Sequence, residues 1–479
     1  MQRISNRWYW FFLLTFLLTG LHAKPNTTTC TIFGNNKSYA GFVVQMFATP
    51  DLISGEKVLI ASDTVDAEGN FKLTFSLQQT QLLTLPLGIY ECIVYAEPGK
   101  TYQVVLPPWQ PKTKADLLNP FFTPVQIYLG IRNPAPDDIN LLIAEFNERY
   151  HNYIDQEYYY IFKFPRKANI DSVIKTIDAQ FDTIVNPYFY NYRKYKYAWL
   201  KYTTVMRDNR YVIREYFNNQ PVLYHNVAYM DLFNQLFANY LSVYMKTSEG
   251  TRIFSDVALA KSPVLVKETF SNNMVLLNDT LQEIVLLKGL YDAFYSNDFP
   301  LQSMLITLDS LAYSTQVPEH KLIAKNIRTK VLYLRNGFNA PGFELTDAQG
   351  TKYSLNDFSS NYVYLNFISV ESFACQQELE LLKKLHEKFS NDLTIVSISI
   401  DKDLEKAQNY FDKNGYTWRL LGDSPDRKIA DLYKVKAYPT FYLIQPNGKL
   451  KMSPALSPGE NFEWSFFNLL QSEKRRQNQ

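Results

Sequence analysis

The sequence predicts a multidomain protein with an N-terminal β-sandwich, a central all-α region and a C-terminal α/β domain. The sandwich is predicted by "NFKLTFSL", in which every second residue from Phe71 is apolar, the period of a strand with one buried face. The all-α region is predicted by apolar residues at helical spacing from Ile139, and the α/β domain by strands that alternate with helices from Gly337. A chain of 479 residues is long enough for several domains.

The composition is typical of a folded globular protein. Hydrophobic residues make up 46% of the chain and charged residues 20%. The formal net charge is only +2, and no charge asymmetry points to a polyanion. We therefore do not expect nucleic acid as a partner.

Residues 1–23 have the pattern of a signal peptide. Arg3 and Arg7 precede the apolar run "WYWFFLLTFLL", and the small residue Ala23 supplies a cleavage position. An uncleaved anchor is the alternative. No other apolar run is long enough to cross a bilayer. We expect an exported protein of the periplasm or cell envelope, without a transmembrane helix after cleavage.

Residues 24–108 are assigned to the β-sandwich, because several short strand candidates are separated by Gly, Pro and Asp turns. The region contains Cys30 and Cys92. Disulfides persist outside the reducing cytosol, so one expectation is a Cys30–Cys92 disulfide that leaves Cys375 as the odd thiol. The alternative is that Cys92 is a small buried apolar residue and Cys30 an exposed thiol.

Residues 109–336 are assigned to the helical region, which begins at the proline-rich "PPWQPKTKADLLNPFFTPV". It is crowded with tyrosine, as in "YHNYIDQEYYYIF" and "YFYNYRKYKYAWLKY". One interpretation is an aromatic platform for a glycan or peptide. The interpretation we favour is that the rings are buried in a helical core while the hydroxyls reach water. The histidines lack metal-ligand spacing, so neither a metal nor a cofactor is expected.

Residues 337–479 are assigned to the α/β domain. "NYVYLNFIS" and "LTIVSISID" read as buried strands, and "CQQELELLKKLHEKF" reads as a helix with one apolar face. "DLEKAQNYFDKNGY" predicts a helix that stops at Gly415. "AYPTFYLIQPNGKL" predicts a hairpin with an Asn-Gly turn, and "GENFEWSFFNLLQ" a closing helix. A mixed sheet is expected.

These segments resemble the thioredoxin-fold domain of the TlpA-like bacterial thiol–disulfide oxidoreductases, which are related to the AhpC/TSA peroxiredoxins. The resemblance runs from about Phe338 to Gln471 and is carried by "APGFELTDAQG", "YLNF", "SISID" and "LYKVKAYPTFYLIQPNGKL". It implies a cis peptide bond before Pro439. It also implies a groove at Tyr438, Pro439, Thr440 and Phe373 that holds an extended peptide or protein partner.

The chain departs from this family at the redox motif. The family pattern is Trp-Cys-x-x-Cys, and here it reads Glu371-Ser372-Phe373-Ala374-Cys375. Ser372 therefore occupies the position of the nucleophilic cysteine. A serine hydroxyl is a very weak nucleophile without an adjacent base, and it forms no disulfide. A dithiol cycle within this domain is excluded, and Ser372 is expected to cap the following helix.

Two functional hypotheses follow from this degenerate site. The first is a redox-inactive module that binds a peptide or partner. The second is a monothiol oxidoreductase or isomerase, or a peroxide-reactive protein, that uses Cys375. We expect Cys375 to be buried with a raised pKa, because burial disfavours a thiolate and Glu378 adds negative charge if it is near.

Overall fold

The computed structural model describes residues 28–113, 115–116, 119, 121–164, 170–204, 209–272, 275–423 and 428–477. The expected signal peptide at residues 1–23 lies outside this part of the chain. Within it, a strand-rich N-terminal region is followed by a helical region and then by a thioredoxin-like domain built on a mixed sheet. The predicted fold class is confirmed.

The N-terminal region is a sandwich of two sheets. Apolar side chains alternate along some of its strands, as in Asn70–Leu77, where every second residue is buried. The strand orders are β4-β1-β7-β9 in one sheet and β3-β2-β5-β6-β8 in the other. The strands are β1 (Thr28–Asn35), β2 (Val43–Ala48), β3 (Val58–Thr64), β4 (Asn70–Leu77), β5 (Gln81–Leu87), β6 (Tyr90–Ala96), β7 (Thr101–Val105), β8 (Val125–Tyr128) and β9 (Gly130–Ile131).

The sandwich does not end at residue 108, where the sequence predicts a boundary. After the proline-rich segment, β8 pairs in parallel with β6, and β9 pairs antiparallel with β7. The chain thus returns to both sheets before the first long helix. The sequence does not indicate this because the two added strands are short and their partners lie far back along the chain.

Cys30 and Cys92 are free thiols in the structure, so the disulfide considered for this pair is not formed. They lie on β1 and β6, which belong to different sheets, and both side chains are fully buried in the sandwich core. Burial raises the pKa of Cys30 to about 11 and that of Cys92 to about 12. The alternative prediction, without a disulfide, had Cys92 buried and Cys30 exposed. It is correct for Cys92 and wrong for Cys30, because both side chains are buried.

The central region is a bundle of helices around one apolar core. Several long helices present an apolar face to that core, for example Leu142, Ile143 and Phe146 on the first helix. The helices are α1 (Ile139–Gln156), α2 (Tyr158–Phe162), α3 (Ile170–Asp178), α4 (Pro187–Thr204), α5 (Asn209–Tyr216), α6 (Val227–Leu236), α7 (Tyr240–Tyr244), α8 (Pro263–Ser271), α9 (Asp279–Ala293), α10 (Leu301–Ser314) and α11 (Pro318–Leu332).

Many of the tyrosines are core residues, as the favoured interpretation predicts. The rings of Tyr192 and Tyr195 on α4 are buried. Their hydroxyls bond to protein groups rather than only to water: Tyr192 donates to the Asn147 side chain at 3.0 Å and Tyr195 to a backbone carbonyl at 2.8 Å. The run Tyr158–Tyr160 is exposed.

The sandwich and the helical region pack against each other. Tyr95 on β6 lies within the core of the helical region. The Asn140 side chain accepts a hydrogen bond from the Tyr95 N–H at 2.7 Å and donates to its carbonyl at 2.9 Å. Asn326 on α11 donates to the buried Asp51 carboxylate at 3.0 Å. Satisfied polar contacts of this kind fix the relative position of the two regions.

The thioredoxin-like domain has a seven-stranded sheet of order β11-β10-β14-β13-β12-β15-β16 with helices on both faces. β12, β13 and β14 are parallel to one another. β15 runs antiparallel to β12, and β16 pairs antiparallel with β15. The elements are β10 (Glu344–Thr346), β11 (Lys352–Ser354), β12 (Tyr362–Ile368), α12 (Phe373–Phe389), β13 (Leu393–Ser399), α13 (Leu404–Asn414), β14 (Arg419–Gly422), α14 (Lys428–Leu432), β15 (Thr440–Ile444), β16 (Leu450–Ala455) and α15 (Phe462–Gln477).

The local predictions for this domain agree with the structure. α13 ends at Gly415, whose φ of 66° lies in the left-handed region that favours glycine. β15 and β16 form the expected hairpin. Every residue of β12 is buried, because this strand is central and covered on both faces. Over the described part of the chain, no helix is both long and apolar enough to span a bilayer.

Candidate functional site

The candidate site lies where the central strand β12 ends and α12 begins. Residues at the carboxyl end of a parallel sheet stand at its ligand-binding edge. Ser372 is the N-cap of α12, with extended backbone (φ −89°, ψ 122°). Its Oγ accepts a hydrogen bond from the Cys375 N–H at 3.5 Å, a long contact for this type of bond. The expected capping role of Ser372 is present in the structure.

Asp401 holds the loop between β12 and α12. Its carboxylate accepts hydrogen bonds from the Val370 N–H at 2.8 Å, the Ser369 hydroxyl at 2.5 Å and the Ser399 hydroxyl at 2.9 Å. Sequence reasoning missed this residue. The available signal was that Asp401 ends "SISID", since the carboxyl ends of adjacent parallel strands meet at the same edge.

The Cys375 side chain is completely buried. Burial raises the pKa of this thiol. The Ser369 backbone and the Ser372 hydroxyl lower it by a smaller amount, and the carboxylates of Asp401 and Glu378 raise it further. The thiol is therefore protonated at neutral pH, and the helix N-terminus does not offset the cost of removing a thiolate from water.

The two glutamates near the site have structural partners. Glu371 forms an ion pair with Lys406 at 2.9 Å on the surface. Glu378 accepts hydrogen bonds from the Ser457 hydroxyl at 2.9 Å and the Gly459 N–H at 3.0 Å. Glu378 therefore joins α12 to the segment that follows β16.

The predicted groove residues lie at the same edge of the sheet. The Tyr438–Pro439 peptide bond is cis, as the resemblance implies. Thr440 begins β15 opposite Phe367, so Pro439 lies next to the end of β12 and the capped loop. The Thr440 hydroxyl donates to the Ala437 carbonyl at 2.6 Å. Phe373, the first residue of α12, is 71% exposed.

The site contains one thiol, that of Cys375, together with hydroxyl and carboxylate groups. Among the residues the structure describes, no group of three or more His, Cys, Asp or Glu side chains is arranged to hold a metal ion. Cys375 and Ser372 are adjacent, whereas Cys30 and Cys92 lie in the core of the sandwich. The arrangement does not supply a second thiol to resolve a mixed disulfide.

The C-terminal domain has the features of a thioredoxin-like domain of the thiol–disulfide oxidoreductase type. Residues 337–453 match the model of the AhpC/TSA family. A similar protein is the thiol-disulfide oxidoreductase ResA of Bacillus subtilis (strain 168), 27% identical over 138 residues that cover 29% of this chain and 76% of the relative. The thioredoxin-like protein YneN of the same organism is 29% identical over 125 residues, covering 26% and 72%.

Among solved structures, a putative thiol-disulfide oxidoreductase from Bacteroides vulgatus matches at 29% sequence identity. The match covers 29% of this chain and 94% of that chain, with a TM-score of 0.27. The family-model match and the two sequence relatives show that the C-terminal domain resembles thiol–disulfide oxidoreductases related to the AhpC/TSA family. The sandwich and the helical region lie outside the residues that the family model matches.

Proposed function

We propose that this is an exported thioredoxin-like protein that lacks dithiol activity and binds a peptide or protein partner through its C-terminal domain. The observation that carries the proposal is the pair Ser372 and Cys375. An oxygen stands at the helix start where the family pattern has its first sulfur, and the remaining thiol is buried. The localisation rests on the signal-peptide pattern of residues 1–23.

The lack of dithiol activity follows from the number of thiols that disulfide reduction needs. Reduction of a substrate disulfide needs a thiolate to attack one sulfur and a second thiol to release the mixed disulfide, so that two electrons pass to the substrate. Cys375 is the one cysteine in residues 337–479. The Cys375 thiol is protonated and buried. A serine hydroxyl can neither attack the substrate disulfide nor release the mixed disulfide. The domain alone therefore cannot complete the cycle.

A binding role needs only the surface beside this site. Phe373 exposes an aromatic ring at the start of α12, and Tyr438, Pro439 and Thr440 are partly exposed at the neighbouring end of β15. An exposed aromatic beside accessible backbone is suited to an extended peptide, because the backbone supplies hydrogen bonds and the ring supplies apolar area. The Asp401 contacts keep this edge rigid without a partner.

The second candidate is monothiol or peroxide chemistry at Cys375. The observation in its favour is that the Ser369 backbone and the Ser372 hydroxyl both favour a thiolate. Each of these effects is smaller than that of burial, and the pKa of the thiol stays raised, so this activity requires the loop of residues 369–372 to open. It is the weaker of the two functions on these grounds.

The proposal is tested by binding of an extended peptide. The probe is the insulin B chain with its thiols carboxymethylated, titrated into the full chain and followed by calorimetry. Phe373→Ala should weaken binding about tenfold, the usual effect of removing an exposed aromatic anchor. Phe467→Ala is the matched control, since Phe467 is an exposed phenylalanine on α15.

Cys375→Ser should bind the probe as the unmodified chain does. Absence of binding, or equal loss in the control variant, contradicts the proposed binding role. Export is tested separately by fractionation and by N-terminal sequencing of the mature chain, which should begin at Lys24.

A further inference from the structure

A cavity of about 510 Å³ lies between the sandwich and the helical region. Its walls are the ends of β5 and β6, the start of α4, the loop of residues 222–226 and the first turn of α11. This volume is within the range of small-molecule sites, and interfaces between domains are a common place for them. The cavity is separate from the thioredoxin-like domain, because all of its lining residues precede residue 337.

The lining carries negative charge. Glu97 enters from the sandwich side and Glu319 from α11, and none of the described residues that line the cavity is a lysine or an arginine. Burial lowers the pKa of His225, the remaining titratable base in the lining, so this imidazole is neutral at pH 7. An anionic ligand is therefore disfavoured, and a cation is favoured by both carboxylates.

Glu97 is incompletely compensated in the structure. It accepts a hydrogen bond from the Asn186 amide at 3.0 Å. Even with this bond and the nearby Lys100, which lies outside the lining, burial raises the pKa of Glu97 above its ordinary value. A cationic group in the cavity would supply the missing partner for this partly buried carboxylate.

The polar groups of the cavity are fixed by further contacts. The Asn186 Oδ1 accepts a hydrogen bond from the Phe189 N–H at 3.0 Å, which orients its amide nitrogen toward Glu97. The Tyr224 hydroxyl bonds His320 Nε2 at 2.9 Å, and His320 Nδ1 bonds the Glu283 carboxylate at 2.9 Å. Such support holds a binding geometry before any ligand arrives.

Part of the remaining wall is apolar, and this part narrows the choice of ligand. Pro98, Pro187, Val222 and Leu223 line the same cavity as the two carboxylates. A metal ion would leave these surfaces unfilled, whereas an ammonium group on an aliphatic stem matches both kinds of wall. We propose that the cavity binds a primary ammonium group on a short aliphatic stem, presented by a lysine side chain or by the free amino terminus of a peptide.

The test uses saturation-transfer NMR on the full chain with two probes. Nα-acetyl-lysine N-methylamide carries only the side-chain ammonium, and leucinamide carries only the α-ammonium. The acetylated form of each probe is its uncharged comparison. We expect at least one ammonium probe to bind with a Kd on the order of 1 mM or tighter, and its acetylated form to bind about tenfold more weakly or not at all. The probe that binds identifies the source of the amine.

Two charge variants and one blocking variant locate the binding. Glu97→Gln and Glu319→Gln should each weaken binding about tenfold, as expected for loss of a charged hydrogen-bond partner. Glu68→Gln, the same change at an exposed glutamate of the sandwich, should have no effect. Gln79→Trp adds bulk at an exposed position of the cavity rim and should abolish binding without removing a charge.

The inference is overturned if neither ammonium probe binds at about 10 mM, or if binding persists in Gln79→Trp and in both glutamate variants. Phe373→Ala should leave amine binding unchanged, so this result is independent of the proposed groove in the thioredoxin-like domain.

Discussion

Ser372→Cys restores the second sulfur and tests the geometry of the degenerate site. Ser372 caps α12. Its hydroxyl accepts a hydrogen bond from the Cys375 N–H and lowers the pKa of the Cys375 thiol. A sulfur at this position is therefore three residues from Cys375 on the first turn of one helix. We expect the variant to form an internal disulfide that dithiothreitol reduces.

The expected change in stability has two parts. Loss of the serine cap costs about 0.5–1 kcal/mol, toward the low end for N-caps because the existing bond is long at 3.5 Å. Closing a four-residue loop removes about 6 cal/mol/K of unfolded-state entropy, or about 2 kcal/mol at 25 °C. The reduced variant should thus be about 0.5–1 kcal/mol less stable than the unmodified chain, and the oxidised variant about 1 kcal/mol more stable.

The assay is urea unfolding of the oxidised and reduced variant, with alkylation and mass spectrometry to count free thiols. Ser372→Ala is the control, since it removes the cap but offers no sulfur. If Ser372→Cys shows three slowly labelled thiols plus a freely reactive fourth under oxidising conditions, the two side chains do not meet. The assignment of Ser372 to the nucleophile position would then be wrong.

Three further predictions concern other groups of the molecule. Cys375 should resist iodoacetamide at pH 8 in the folded chain and react after denaturation, because its thiol is buried with a raised pKa; rapid labelling of the native protein would contradict this. Asp401→Ala should lower the free energy of unfolding by about 2 kcal/mol, because three donors lose their acceptor, and Asp401→Asn should lower it less; equal losses in urea unfolding would show that the carboxylate oxygens are not the cause. Burial lowers the pKa of His320 in the folded chain. Below about pH 6.5 the unfolded chain therefore binds more protons than the folded chain. The free energy of unfolding should thus decrease as the pH falls from about 6.5 toward the folded pKa. His320→Gln should flatten this slope of unfolding free energy against pH by up to about 1.4 kcal/mol per pH unit. An unchanged slope in this variant would contradict the prediction.

Features set by neighbouring residues were predictable from the sequence. The apolar face of α12 and the stop of α13 at Gly415 depend on residues within a few turns. The Ser372 and Cys375 pair is equally local, so its cap geometry followed from the motif. The cis bond before Pro439 came from the family resemblance and not from the residue pattern alone.

Features that join distant segments were not predictable in this way. β8 returns to the sandwich beside β6 after an intervening proline-rich segment, and its four residues carry little signal of their own. Asp401 reaches the site only because β13 lies beside β12. The Tyr224–His320–Glu283 contacts span α9, α11 and a loop, and such contacts depend on tertiary packing that periodicity does not encode.

The most direct test of the central claim is reduction of insulin by the unmodified full chain with dithiothreitol as electron donor. The substitution at Ser372 predicts a rate equal to that of dithiothreitol alone, and the same rate for Cys375→Ser. Multiple turnover by the unmodified chain that is lost in Cys375→Ser would contradict the claim, because a single buried thiol would then be completing the exchange.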